Sequence, residues 1–107
     1  MPDPHLITLE VASLMTKAYR DARINNIISN SYERAAFDRI LSQEGCVGIR
    51  AYFALTTEQS NPGDAGRLTL VFVGYDSQDN DLYERELAEA GWACPPRCPE
   101  LNPLNNL

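Results

Sequence analysis

Two stretches constrain this chain most. VGIRAYFALTT, from Val47 to Thr57, alternates in the manner of a β-strand, and RLTLVFVGY, from Arg67 to Tyr75, follows it. In the first, Val47, Ile49, Ala51, Phe53 and Leu55 share one face, while Gly48, Arg50, Tyr52 and Ala54 share the other. In the second, Leu68, Leu70 and Phe72 oppose Thr69, Val71, Val73 and Tyr75, so both faces are apolar and both ask for cover. Between them, EQSNPGDAG reads as a loop, with Pro62-Gly63 its strongest turn signal. The pair predicts an antiparallel hairpin with a long, mobile tip. An isolated two-stranded sheet is marginal in water, so something must cover its faces and pair its edges. Either the Ile24–Asn30 connection or the C-terminal tail supplies a third strand, or a second copy of the chain completes a continuous four-stranded sheet.

Helical periodicity surrounds the hairpin. From about Thr8 to Arg23, Ile7, Val11, Leu14, Met15, Ala18 and Ala22 recur on one side, with Thr8 as N-cap. A second helix is expected after a capping box of Asn30 and Glu33, with Ala36, Phe37, Ile40 and Leu41 as its stripe and Gly45 as its stop. A third is expected after Asp81 and Glu84, with Tyr83, Leu87 and Ala90 inward. Gly91 should end it, and Trp92 should fold back onto Leu87. Pro95, Pro96, Pro99 and Pro103 forbid helix beyond that. The expected fold is α+β: two N-terminal helices, a hairpin, a third helix and an extended Pro-rich tail. It forms one domain over residues 1–107, with residues 1–6 flexible and 92–107 packed on the domain or extending from it.

Four segments carry a resemblance. ILSQEGCVGIRAYFAL, LVFVGYDSQDNDL, CPPRC and NPLN, in this order, resemble a family of short uncharacterised bacterial proteins with the segments GCxGIR, VGxDxxGxD, CPxxC and a closing NPLN. The resemblance implies no activity. The chain departs from the pattern in having Asp79 where the turn glycine stands, and Asp adopts a left-handed conformation at some cost.

Charge removes two classes of partner. Nine basic residues, scattered along the chain, face fifteen acidic ones, for a net charge of −6. Phosphate neutralisation needs a basic patch, so nucleic acid and anionic membrane surfaces are not expected partners. No apolar run approaches the length of a membrane helix, and MPDPHLITLE shows no basic n-region or apolar core of a signal peptide. Three cysteines, an odd number, then suggest reduced thiols in a cytoplasmic setting.

Cys94 and Cys98 stand four positions apart, with Cys46 remote in sequence. Zinc would take Cys46, Cys94 and Cys98, but a fourth ligand is missing and His5 is the only histidine. Thiol redox work needs a lowered pKa, generally at a helix N-terminus, and prolines bar a helix after Cys94. A structural staple, or small buried side chains, explains the same residues. His5 in MPDPHL is poorly placed to serve as a base. Glu84 and Glu86 diverge on a helix and read as a solvated face. Asp76 to Asp81 fails the EF-hand pattern, with Asp81 where glycine belongs and Leu87 where glutamate belongs. Gly45-Cys46-Val47-Gly48 precedes a strand, so it is no phosphate loop; Gly48 instead lets a backbone or an aromatic ring come close.

The reading is a non-catalytic protein that works by protein–protein association, forming a homodimer first. Arg50 and Tyr52 on the first strand, and Leu101, Leu104 and Leu107 in the tail, are the expected contact residues. The alternatives are a zinc or thiol-redox module on Cys46, Cys94 and Cys98, and a small enzyme using Asp76, Asp79 or Glu84. No cofactor is expected under the first reading.

Overall fold

The computed structural model describes residues 3–105. Helix α1, Leu9–Ala22, begins where Thr8 Oγ1 accepts a hydrogen bond from the Val11 N–H at 3.2 Å. It ends as Arg23 turns left-handed at φ 53°. Strand β1, Ser29–Ser31, follows, then helix α2, Arg34–Leu41. Strands β2, Gly48–Leu55, and β3, Leu68–Tyr75, form the hairpin, and β4, Leu87–Ala88, and β5, Trp92–Cys94, complete the order.

The strands make two antiparallel sheets. In the larger the order is β2-β3-β4; in the smaller β1 pairs with β5. The hairpin register pairs Gly48 with Tyr75 and Leu55 with Leu68. Its long connection is tied down rather than loose. Thr56 N donates to Arg67 O, Gly63 N to Glu58 Oε2, and Gly66 N to Thr56 O, while Arg67 pairs with Asp64.

The expected third helix is absent. DLYERELAEA has helical propensity, but tertiary context overrides it. Asp81 bridges to Tyr75, and Leu82 N donates to Gly74 O, so this backbone is already committed to the edge of β3. The Asp81 carboxylate, expected as a cap, is held by Arg50 and Tyr52. The segment then turns and returns as β4, whose Ala88 is buried against the α2 side while Leu87 is half exposed. Gly91 ends no helix: it lies where a Cβ would meet the Tyr32 ring. Trp92 lies in β5 and stacks under Arg97, not against Leu87.

Two further expectations are corrected. Asn30 does not cap α2; it sits in β1, and its side chain donates to Leu68 O at 3.4 Å. Glu33 holds the cap position without a side-chain bond. The tail is also not simply extended. Its first residues are β5, and its end folds into a turn in which Asn105 N donates to Asn102 O. The connection and the tail therefore pair with each other, and the third strand of the main sheet comes from the segment expected to be helical.

The core is small. Ile27, Ile40, Val73, Ala88 and Cys94 are its buried apolar residues. Tyr32, Phe37 and Phe72 form an aromatic trio that seats α2 on the β3 face, with the Tyr32 and Phe72 centroids 4.8 Å apart. One face of the hairpin, the side of Phe72 and Gly74, is thus covered by α2.

Candidate functional site

Helix α1 carries its apolar stripe outward. Ser13 is buried, and Tyr19 donates its hydroxyl to Ile27 O at 2.6 Å, so the polar side of the helix faces the body. Val11, Leu14 and Met15, the residues that define the stripe, are exposed, Leu14 at 56% and Met15 at 61%. An amphipathic helix ordinarily buries that side.

Beside α1 the sheet is incompletely covered. Phe53 is 86% exposed, and Leu55 is also exposed. A groove of about 290 Å³ runs between Met15 and Tyr19 of α1 and Phe53, Leu68 and Leu70 of the sheet, and its walls are largely apolar. The total accessible surface is 8087 Å² for an 11.9 kDa chain. A folded monomer of this mass exposes about 6,000 Å². The radius of gyration is 15.4 Å, against about 13 Å for a compact domain of this length. The excess is about 2,000 Å² on one chain, more than the roughly 800 Å² that a standard protein–protein interface removes from each partner.

Arg50 and Tyr52 are not free on their strand. The Arg50 guanidinium pairs with Asp79 and Asp81 and lies 5.0 Å from the Tyr75 ring centroid, and the Tyr52 hydroxyl donates to Asp81. The Tyr75 ring reaches over Gly48, its hydroxyl 2.5 Å from where a Cβ would stand, which is the close aromatic approach expected of that glycine. Hydrogen bonding to Tyr52, then Arg50, holds the Asp81 carboxyl below its ordinary range. The same contact raises the Tyr52 phenol, and Asp81 raises the Arg50 guanidinium. This cluster clasps the turn 76–81 onto β2. Asp79 takes the left-handed conformation, φ 67°, that its departure from glycine implied. Within the turn, Asp76 Oδ1 accepts from the Gln78 and Asn80 N–H groups at 2.9 and 3.0 Å. The acidic run is thereby a hydrogen-bonded turn.

Cys94 and Cys98 are joined by a disulfide, which corrects the expectation of reduced thiols for this pair. Cys94 is buried, and its carbonyl accepts from Ile28 N at 2.7 Å. Cys46 is unpaired; its Sγ lies against Gly74 and its S–H donates to Gly48 O. Among the described residues no three His, Cys, Asp or Glu side chains converge as a metal cluster would require. In the tail, Leu101 is strongly exposed and Leu104 half exposed, and Arg20 donates to Leu104 O at 2.7 Å, tying the tail to α1. Leu107 lies outside the described residues. No helix in the described residues is long and apolar enough to cross a membrane.

The residues that form the exposed apolar surface, Val11, Leu14, Met15 and Phe53, appear in the sequence as core stripes. Their apolar character is legible there, but which side of each element meets the body is not. No family model, curated protein or solved structure matches the chain, so the resemblance carried by its four segments rests on those segments alone.

Proposed function

We propose that this chain is a non-catalytic association module, and that its working surface is the outward stripe of α1 together with the groove beside Phe53. One observation carries the reading: Val11, Leu14 and Met15, the apolar side of an amphipathic helix, face away from the chain's own core. Grouped apolar side chains left in water on a small chain mark an interaction site. Arg50 and Tyr52 contribute by holding the turn 76–81 against β2, and Leu101 and Leu104 are further exposed apolar side chains in the tail.

The test is a charge placed on the stripe. Leu14→Asp is expected to leave the fold intact, since the residue is exposed, and to weaken association through the stripe at least about tenfold, as loss of one buried leucine contact implies. Light scattering on wild type and variant across the micromolar range reads this directly. A wild-type chain that stays at 11.9 kDa, and a variant indistinguishable from it, would count against the reading.

A further inference from the structure

The larger sheet has one long open edge. β2 pairs with β3 on one side only, and β4, the opposite edge strand, is two residues long. The direction of the β2 backbone groups follows from the ladder. Thr56 N donates to Arg67 O at one end of the hairpin. On the far side of β3, Leu82 N donates to Gly74 O. Antiparallel pairing alternates, so even-numbered residues of β2 bond to β3. Ile49, Ala51, Phe53 and Leu55 therefore turn their N–H and C=O groups to the open edge. None of these groups has a partner among the described residues.

Natural edges are protected by proline, lysine, a bulge within the strand or a covering element. GIRAYFAL contains neither proline nor lysine. Its one charge, Arg50, is drawn back onto Asp79 and Asp81. The edge is long, apolar and uncovered, with Ala51, Tyr52 and Phe53 all exposed.

We infer that a second copy of this chain occupies the edge, with β2 pairing antiparallel to β2 across a two-fold axis to give a six-stranded sheet. Three features favour a second copy over a foreign strand. First, the four outward residues are symmetric about Tyr52. An axis at Tyr52 sets Ala51 of each copy against Phe53 of the other, and Ile49 against Leu55, so every outward N–H and C=O is paired. No other self-register pairs all four. Second, the large side chains meet small or aliphatic ones, and Phe53 is no longer left in solvent. Third, the remaining edge, β4, is too short to propagate, so the assembly closes at two.

This inference rests on the association reading, but the two fail differently. Proline at Ala51 removes an outward donor without touching the β3 ladder, which edge strands tolerate. Ala51→Pro is expected to weaken dimerisation at least about tenfold, because the ladder loses a hydrogen bond and meets the ring. In a mixture of isotope-labelled and unlabelled wild-type chains, NMR is expected to show Arg50 Hα of one copy close to Ala54 Hα of the other. This second measurement needs no variant and decides the matter if the proline variant does not fold. Wild-type dimers that lack this contact, or that are unaffected by a folded Ala51→Pro, overturn the edge pairing and leave the association reading standing. A chain monomeric at all concentrations overturns both.

Discussion

At the level of single residues, the structure turns on places where one group has no substitute. Asp81 is one. Its two oxygens are divided between Arg50 and Tyr52, and this locks the turn 76–81 to β2. The carboxyl titrates below its ordinary value of 3.8 in the folded chain. Its contribution to stability is therefore present above pH 3.8 and is lost as pH falls through the lower folded value. Tyr52 titrates above 10.0, so its contribution holds below pH 10 and is lost as pH rises past it. The melting temperature of wild type minus that of Asp81→Asn is expected to be flat and positive from pH 5 to 9, shrinking at both extremes. A difference that grows on acidification contradicts the clasp. Gly91 is a second such place. A Cβ there meets the Tyr32 ring and, at 3.0 Å, the Ser31 carbonyl. Gly91→Ala is expected to cost about 1–3 kcal/mol in urea unfolding, the range for overpacking. These roles divide by legibility. The close approach at Gly48, by backbone or aromatic ring, is legible from the residues alone, and the left-handed Asp79 only through the resemblance. In the sequence Asp81 reads as a helix cap, because the same carboxylate suits either use, and only the fold brings Arg50 and Tyr52 to it.

At the level of elements, local pattern succeeds where it agrees with packing and fails where it does not. The hairpin and the start of α1 follow from alternation and from Thr8. The segment 81–90 does not follow, because its helical stripe competes with the open side of β3, and the strand edge prevails. Carbon chemical shifts of residues 86–89 are expected to be extended rather than helical. Ala88→Glu, which puts a charge into a buried site, is expected to destabilise by about 3 kcal/mol or more. A neutral outcome would return the segment to an exposed helix. The smaller sheet is held by a different device. The disulfide closes a loop of sequence separation 4 directly after β5 and fixes the direction of the tail. Reduction is expected to cost about 2 kcal/mol by loop entropy, measured as a shift in the urea midpoint with and without reductant. Its formation was one of several uses the spacing allowed; spacing alone does not choose among them.

At the level of the whole molecule, the hairpin has more apolar surface than one copy of the chain covers. That much was visible in a second strand apolar on both faces. What was not visible is the division of the cover: α2 takes one part of the sheet, β4 takes one edge, and α1 turns its stripe away from all of it. Orientation of a helix about its axis depends on its partners, and an absent partner leaves no trace in periodicity. Scattering of X-rays at small angles, with mass read on the same eluting peak, tests this most directly. The expected result is a particle of two chains, twice 11.9 kDa, at micromolar concentration. A single chain with a radius of gyration near 13 Å, in place of 15.4 Å, would show that α1 closes over Phe53 unaided and would contradict the account.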